Sequence, residues 1–329
     1  KTTDRKEAER QEVKFRAEVY AEGVLGKKRS ISIEQAINRL IASKADTPNS
    51  KNLSHHRAAV LSMLKGAGAL SSLTNDDLER LKQNRLALGR APQTVKHELN
   101  LVMQAVRNAK RLGFEVPDLI APTIKVSATR LRYLSIDEEY RLLRELDPKR
   151  AVNGLAPVHS RDPKKIRNTQ DNYDLVVMLL DTGARYNEIA SLRWDQIDLD
   201  RALVRLWRSK VSNESLIFMT KRVREIIANR WNARSSKYLF SNSKGGARGY
   251  SVIAIRKAFH RAGLHDCTVH TLRHTHASRL IQHGMSVYEV KSVLGHADIR
   301  TTMRYAHLEQ ATVTSKARDL IEQIHGGSI

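Results

Sequence analysis

Apolar residues recur at three- and four-residue spacing through most of the chain, a pattern typical of amphipathic helices. Between Ser32 and Pro117 this pattern predicts a succession of helices. Helix-stopping residues such as Gly66, Gly89 and Pro92 stand between them. These features predict an all-helical domain over residues 30–117.

The segments on either side of this domain lack its pattern. Residues 1–29 predict a charged helix with a thin apolar stripe, which we interpret as the remnant of, or connector to, a further N-terminal domain. Residues 118–133 carry Pro122 and several basic residues without periodicity, which predicts an extended interdomain linker. A basic linker of this kind suits a path along a DNA backbone.

A second domain is predicted over residues 134–315. It opens with Ser135 at an N-cap position and Glu138 at the matching capping-box position. Further on, a run that is apolar on nearly all sides predicts a buried helix, which stops at Gly183. The tail, residues 316–329, predicts a short amphipathic helix that needs a packing partner to be stable.

The second domain also contains the one convincing β segment. Residues 203–207 alternate and residues 215–219 form a second run, so a hairpin is expected with its reversal at Ser212-Asn213 and Lys210 at its mouth. The glycine-rich stretch 241–251 lacks the spacing of a nucleotide cradle and is interpreted as a flexible basic loop. The fold class expected is therefore mainly α with a small antiparallel β-sheet.

Candidate catalytic residues follow two glycines that are predicted to end helices, Gly183 and Gly295, and also stand near the start of a helix between them. Arg185 follows Gly183 at the start of a helix, and Glu188 lies one turn further on, where its carboxylate can hold the guanidinium. Thr271 is interpreted as an N-cap, which places His270 just outside a helix and Arg273 in its first turn. Backbone N–H groups at such a helix start favour a phosphate.

Two further candidates follow the next predicted helix. That helix stops at Gly295, so His296 is expected at its terminus. Tyr305 lies off the apolar stripe of its segment, and we expect its hydroxyl to be available. Taken singly, each of these residues is more often structural. The pair His270 and His274 has the spacing of metal ligands, but no HExxH pattern is present and no metal is expected.

Charge indicates the partner. The chain has 329 residues with 57 Lys+Arg against 35 Asp+Glu, a net charge of +22 spread along its length. A polyanion, most simply double-stranded DNA, is the expected partner, and the absence of a long apolar run disfavours a membrane. The single cysteine, Cys267, excludes an internal disulfide and fits a reducing cytoplasm, so a cytoplasmic, nucleoid-associated protein is expected.

The order T-G-A-R-Y-N-E, a hairpin lysine, H-T-L-R-H, L-G-H and a later tyrosine resembles the tyrosine recombinase (phage integrase) family across residues 30–310. The resemblance implies a role for each matching residue. Tyr305 would be the nucleophile, and Arg185 and Arg273 would clamp the phosphate. His270 would be a general base or acid, His296 a hydrogen-bond donor, and Lys210 the acid for the leaving oxygen. Ala184 departs from the bulkier aliphatic common in the family, and the segment that follows Lys210 is a loose version of the family's hairpin.

General chemistry agrees with these roles. Cleaving a phosphodiester without a metal requires positive charge around a transition state that carries extra negative charge, and guanidinium groups stay protonated at any working pH. A phenol with a pKa of ~10 is a poor nucleophile unless a base or a cationic pocket activates it. A tyrosyl–DNA link conserves the energy of the phosphodiester bond. Neither ATP, a metal nor another cofactor is therefore expected.

The resemblance also implies an architecture and a function. Residues 1–29 would lead to an arm-binding domain, 30–117 would be the core-binding domain, 134–315 the catalytic domain, and the two domains would form a C-shaped DNA clamp. The expected function is a site-specific recombinase that integrates or excises a mobile element such as a prophage through a 3′-phosphotyrosyl intermediate. We expect inverted-repeat core sites, a homotetramer on DNA with the tail docked on a neighbour, and DNA-bending and directionality proteins as candidate accessories.

Several basic or polar residues outside the motifs are candidate DNA contacts. They are Gln93, Thr94, Lys96, Lys125, Arg130, Arg132, Lys244 and Arg256. Two alternatives remain open from the sequence. A type IB topoisomerase shares the chemistry, and a non-catalytic sequence-specific DNA-binding protein shares the charge.

Overall fold

The computed structural model describes residues 5–23, 28–47, 49–64, 68–126, 131–152, 154–208 and 213–326. The chain divides into two compact units, residues 1–128 and residues 129–329. Among the residues singled out above, Arg130 and Lys210 lie outside the described residues, as do Gly66 and Ser212.

The first unit is helical, as predicted. Its helices are α1 (Arg5–Gly23), α2 (Ile33–Ala42), α3 (Asn49–Met63), α4 (Asn75–Ala87) and α5 (Pro92–Arg111). Capping boxes open α2 at Ser32 and α4 at Thr74, and α5 starts with Pro92 in its first turn. These caps satisfy N–H groups that the helices leave unbonded, which explains why the chain enters each helix at these residues.

Helix α5 lies at the centre of the first unit and packs against α2, α3 and α4. Its buried side, including Val95, Leu99 and Val102, completes an apolar core. Beside that core lies a buried ion pair, because Arg85 on α4 donates two hydrogen bonds of 2.8 and 2.6 Å to the Glu98 carboxylate on α5. The pair fixes α4 against the N-terminal half of α5.

The second unit combines helices with one small sheet. Its helices are α6 (Ile136–Leu146), α7 (Pro163–Thr182), α8 (Tyr186–Ala190), α9 (Lys221–Asn232), α10 (Ile253–Arg261), α11 (Val269–Gln282), α12 (Val287–Leu294) and α13 (Ala306–Gly326). The antiparallel sheet has the order β1 (Ile197–Asp198), β2 (Leu203–Arg208) and β3 (Asn213–Phe218). The predicted fold class is confirmed, with β1 as a strand that the sequence did not predict.

The predicted buried helix is α7, which packs against α6, α8, α9, α10 and α11. Its residues 175–180 are buried on all sides, and Gly183 ends it in the left-handed conformation. Ser135 and Glu138 form the predicted capping box at the start of α6. The sheet buries Val204, Leu206 and Ile217 against the same core.

The C-terminal segment differs from the prediction of a separate short helix. Helix α13 starts directly after Tyr305 and continues to Gly326. Lys316 holds it to the end of α11, since its Nζ donates a 3.0 Å hydrogen bond to the Gly284 carbonyl. The last turns leave Leu320, Ile321 and Ile324 more than half exposed, at 59%, 54% and 66%.

The glycine-rich stretch, predicted to be a flexible basic loop, is an ordered turn. The Asn242 side chain accepts hydrogen bonds from the backbone N–H groups of Lys244 and Gly246 and donates to the Ala247 carbonyl. The Arg248 guanidinium donates to the Asn172 side chain on α7. The Asn242 side chain thus adds to the backbone hydrogen bonds of the turn, such as the one from the Asn242 N–H to the Gly246 carbonyl at 2.9 Å. Among the described residues, none of the helices has the length and apolar character needed to cross a membrane.

We expect Glu98→Ala to lower the free energy of unfolding of the first unit by about 3 kcal/mol, because it leaves the Arg85 cation buried without its carboxylate. Glu79→Ala is the matched control, since Glu79 pairs with Lys82 at the surface and such pairs contribute about 0–1 kcal/mol. Urea denaturation followed by circular dichroism measures both. Equal losses in the two variants would contradict a structural role for the buried pair.

Candidate active site

Two helices of the second unit end at left-handed glycines. Gly183 stands two positions before Arg185, and Gly295 directly precedes His296. Helix α7 ends at Gly183, with φ of +61°, and α12 ends at Gly295, with φ of +59°. Glycine adopts this conformation at no steric cost and ends the helix with a sharp change of direction. Arg185 and His296 therefore leave the helix ends at defined positions, as predicted for His296.

Arg273 on α11 ties these two helix ends together. Its Nη1 donates a 2.5 Å hydrogen bond to the Gly183 carbonyl, and its Nη2 donates a 2.8 Å hydrogen bond to the Leu294 carbonyl. Carbonyls at a helix C-terminus lack partners within the helix and carry the negative end of its dipole, so a guanidinium suits them well. Arg273 is only 3% exposed. It is therefore a structural tie as well as a cation of the site.

The start of α11 differs from the prediction. Thr268, not Thr271, is the N-cap, and the two threonines form a reciprocal capping box in which Thr271 Oγ1 accepts from the Thr268 backbone N–H at 2.9 Å. His270 therefore lies inside the first turn rather than outside the helix. Arg273 lies one turn further in, where it faces the buried ends of α7 and α12.

Arg185 is held as predicted. Its Nη1 donates to Glu188 Oε1 at 2.8 Å, and its backbone N–H donates to Glu188 Oε2 at the same distance. One carboxylate thus caps α8 and orients the guanidinium. About a third of the Arg185 side chain remains exposed, at 32%.

His276 packs against Gly183 from the α11 side. A Cβ added to Gly183 would stand 2.5 Å from His276 Cδ2 and 2.9 Å from Leu294 Cδ2. The imidazole donates from Nδ1 to the Leu180 carbonyl at 2.8 Å, and burial lowers its pKa. The neutral ring thus fills the space beside the glycine from which the Arg185 segment departs.

Tyr305 is buried, so the prediction of an available hydroxyl is wrong for this structure. The residue is 1% exposed and packs with Ile281, Val290 and Leu294. The prediction assumed an α-helical stripe, but the segment forms two 3-10 turns, Ile299–Thr301 and Met303–Tyr305. Three residues per turn instead of 3.6 rotate Tyr305 into the apolar cluster.

The Tyr305 hydroxyl lies 2.6 Å from Nδ1 of His274. Burial raises the pKa of Tyr305 to about 12, although the charges of Arg273 and Arg304 oppose the rise. His296 is tied to the same turn, since its Nδ1 lies 2.8 Å from Oγ1 of the buried Thr302. The Thr302 carbonyl accepts from the Tyr305 backbone N–H at 2.9 Å.

Positive charge converges on His270. The ring is partly open to solvent, yet crowding by protein atoms lowers its pKa, and the charges of Arg273, Arg304 and Arg185 lower it further. His270 also meets the His274 ring edge-on at a centroid distance of 4.6 Å. The site thus brings Arg185, His270 and Arg273 into one electrostatic neighbourhood.

Two residues of this neighbourhood were not recognised from the sequence as part of the site. His274 was considered only as a possible metal ligand, although it follows Arg273 directly in the H-T-L-R-H motif. Burial first, and then the charges of His270, Arg304 and Arg273, lower the pKa of His274 to about 4. Arg304 precedes the tyrosine, and its charge acts on Tyr305, His270 and His274. Both residues are basic and adjacent to a motif residue in the sequence, and this position could have identified them as part of the site.

The candidate DNA contacts have different surroundings. Gln93, Lys96, Lys125, Lys244 and Arg256 are exposed, and Thr94 is half-buried. Arg132 is different, because its guanidinium pairs with Glu138 at 2.7 Å and with Asp266 at 2.7 Å. These carboxylates neutralise its charge inside the second unit. We therefore withdraw Arg132 as a DNA contact and assign it to packing of the α6 start against the loop before α11.

Comparison with known proteins places this geometry in a family. The model of the phage integrase family matches residues 152–312. Tyrosine recombinase XerA of Thermococcus kodakarensis is 28% identical over 69% of this chain and 77% of its own length. The integrase of Salmonella phage P22 is 24% identical over 100% of this chain and 89% of its own length. Matches to XerD of Corynebacterium glutamicum and of Neisseria meningitidis span only about half of those proteins, 47% and 49%.

Solved structures share the fold. A lambda integrase tetramer bound to a Holliday junction has a TM-score of 0.63 and 14% identity, covering 90% of this chain and 88% of that one. Residues 152–312 of the chain belong to the phage integrase family. With its recombinase and integrase relatives, the chain is a tyrosine recombinase, an enzyme that breaks and rejoins DNA.

We expect Gly183→Ala to lower the free energy of unfolding by more than 2 kcal/mol and to abolish DNA cleavage. The added Cβ would meet His276 and Leu294, and the left-handed backbone disfavours alanine. Gly245→Ala is the matched control, because Gly245 has φ of +76° but open space around it, so its cost is about 1 kcal/mol. Thermal unfolding and a cleavage assay measure both effects. If the two variants lost equal stability and Gly183→Ala still cut DNA, the close packing at Gly183 would not matter.

Proposed function

We propose that this protein is the site-specific recombinase of a mobile element, with Tyr305 as the nucleophile. The observation that carries the proposal is a chain of contacts. Arg273 bonds the Gly183 carbonyl, two positions before Arg185, and His274 contacts both the His270 ring and the Tyr305 hydroxyl. Positive charge held near the reacting phosphate stabilises a phosphoryl transition state.

The proposed reaction has two transesterification steps. In the first, the Tyr305 oxygen attacks the scissile phosphorus, the bond to the 5′-oxygen breaks, and the phenolic proton leaves to a base while the departing oxygen gains a proton. In the second, a free 5′-hydroxyl attacks the phosphotyrosyl bond and releases Tyr305. One ester bond forms as another breaks in each step, so the sequence needs no external energy source.

The proposed residue roles combine the family resemblance with these contacts. Arg185, which Glu188 orients, and Arg273 would bind non-bridging oxygens of the phosphate. Arg273 is 3% exposed and bonded to two backbone carbonyls, so it would have to become accessible on DNA, as Tyr305 would. His270 would act as the general base or acid, and its lowered pKa leaves the imidazole neutral, able to take up a proton. His296 would donate to the phosphate from its second ring nitrogen. Lys210 stays a proposal from the family resemblance alone, as the acid for the leaving oxygen.

We assign the first unit as the core-binding domain and the second as the catalytic domain. The exposed Gln93 and Lys96 lie in the first turns of α5, and the net charge of +22 supports a long contact with the phosphate backbone. Lys244 and Arg256 are candidate contacts from the second unit. Inverted-repeat core sites are the expected target, with directionality and DNA-bending proteins as accessory partners and the bacterial nucleoid as the location.

A tetramer on DNA is the proposed working assembly. The similar lambda integrase is a tetramer on a Holliday junction, and the match to the phage P22 integrase over the whole chain supports a prophage-type element. In this chain the end of α13 presents Leu320, Ile321 and Ile324 to solvent. We propose that this apolar face docks on a neighbouring protomer, which would bury it.

We expect Tyr305→Phe to form no covalent complex on a nicked suicide substrate, because the nucleophilic oxygen is gone. Arg185→Ala should lower the rate of covalent-complex formation about 10²–10³-fold, the usual effect of removing one group that stabilises the transition-state charge, while DNA affinity stays nearly unchanged. Tyr288→Phe is the control, since Tyr288 is an exposed tyrosine of the same unit. Denaturing gels and gel-shift titration measure cleavage and binding.

A covalent complex with Tyr305→Phe would contradict the assignment of the nucleophile. If Arg185→Ala loses DNA affinity but cleaves bound DNA at the normal rate, Arg185 serves in DNA binding and not in cleavage. Relaxation of plasmids that lack any core site would indicate a topoisomerase rather than a recombinase.

Removal of residues 317–329 should abolish tetramer assembly on a synthetic junction and leave the binding of a single core half-site intact, because Leu320, Ile321 and Ile324 are exposed in the protomer. Arg318→Ala, on the same stretch of α13, should keep the tetramer. Analytical ultracentrifugation of the DNA complexes measures assembly. Tetramers that form equally well without these residues would rule out the docking role.

A further inference from the structure

We propose that His274 is a positioning residue that holds the Tyr305 hydroxyl in a buried resting position, and that this contact must break before Tyr305 reaches a phosphate. The inference rests on the proposed role of Tyr305 as the nucleophile. It gives a role to His274, which is not among the residues to which the family resemblance assigns a role.

The contact is short and enclosed. His274 Nδ1 lies 2.6 Å from the Tyr305 oxygen, and the two ring centroids are 5.8 Å apart. Tyr305 is 1% exposed within an apolar cluster that includes Val287 and Val290. A buried hydroxyl without a hydrogen-bond partner loses its contact with water and gains nothing in return. The imidazole therefore allows the phenol to occupy this apolar position.

The protonation states identify the donor. The pKa of His274 is lowered to about 4 and that of Tyr305 is raised to about 12, so near pH 7 the imidazole is neutral and the phenol keeps its proton. The phenol is the stronger donor, and Nδ1 therefore accepts the hydrogen bond. The titratable and charged groups that act on His274 are His270, Arg304 and Arg273, and the two arginines also act on Tyr305. All of them oppose a positive charge on His274.

The same values argue against His274 as the base that activates Tyr305. A base with a pKa of about 4 takes a proton poorly from a phenol with a pKa of about 12. The pair therefore stores the nucleophile in its unreactive, protonated form. An attacking oxygen must also reach a DNA phosphate, and a residue that is 1% exposed does not reach one.

The connection to α13 allows such a movement. Tyr305 is the last residue of the 3-10 turn Met303–Tyr305, and α13 starts at the next residue, Ala306. Hydrogen bonds of a 3-10 turn have poorer geometry than those of an α-helix, so this connection unwinds more easily than α11 or α12. Thr302 links the turn to His296 through a 2.8 Å hydrogen bond. Release of Tyr305 would thus also affect His296.

The first test needs no catalysis. Nitration by tetranitromethane, mapped by mass spectrometry in the DNA-free protein, reports how accessible each tyrosine is. Tyr305 should be protected relative to Tyr288, which is 73% exposed. In His274→Phe, which keeps the ring volume but removes the acceptor, nitration of Tyr305 should rise about tenfold. His274→Asn, whose Oδ1 can replace Nδ1 as acceptor, should restore protection.

The second test measures the reaction. With a nicked suicide substrate, His274→Phe should form the covalent complex about tenfold faster than the unmodified protein, and His274→Asn should resemble the unmodified protein. His283→Ala is the control, since His283 lies on the exposed end of α11. If His274→Phe does not fold, His274→Leu takes its place.

Unchanged nitration of Tyr305 in the phenylalanine variant would overturn the proposal. So would a fall in the cleavage rate with DNA affinity retained, which would make His274 the base instead. Failure of the proposed function gives a different result. If Tyr305 is not the nucleophile, Tyr305→Phe still forms the covalent complex. The nitration test of His274 does not depend on that outcome.

Discussion

The charge-assisted bonds from Arg273 to the Gly183 and Leu294 carbonyls are the constraint on which the site depends. They join the C-terminal ends of α7 and α12, which lie two positions before Arg185 and directly before His296. Burying a guanidinium costs solvation free energy, which the negative ends of two helices partly offset. The positions of Arg185 and His296 thus follow from one side chain on a third helix.

Several parts of this arrangement could be predicted from the sequence because they are local. Gly183 and Gly295 follow apolar helical runs, and Glu188 lies one turn after Arg185, so the helix ends and the ion pair required only neighbouring residues. The mainly α fold with a small hairpin followed from the hydrophobic periodicity. The family resemblance supplied the order of the site residues, and the structure places five of them in one unit.

Other parts depend on contacts between residues far apart in the chain. Arg132 resembled a DNA contact because its partner Asp266 belongs to a distant loop. Tyr305 resembled an exposed residue because an α-helical period was assumed where 3-10 turns occur. The proposed role of His274 depends on its contact with Tyr305, which the sequence alone did not reveal. Each error has the same physical origin, since tertiary packing decides which side of a short segment is buried.

If Tyr305 is the nucleophile, as proposed, its burial beside a cationic site would separate DNA binding from DNA cleavage. Arg185 and Arg273 are held by hydrogen bonds to Glu188 and to two helix ends, whereas Tyr305 lies in an apolar cluster. Burial of the phenol favours the protonated form. This arrangement would limit attack by an exposed phenolate on DNA that has been bound only transiently.

The most direct test of the central claim is an experimental structure of the Tyr305→Phe variant on an uncut core site, at a resolution that places the scissile phosphate. The account predicts that Arg185 and Arg273 both lie within hydrogen-bonding distance of oxygens of that single phosphate, with His270 and His296 beside it. Arg185 and Arg273 bound to different phosphates, or facing different surfaces, would contradict it.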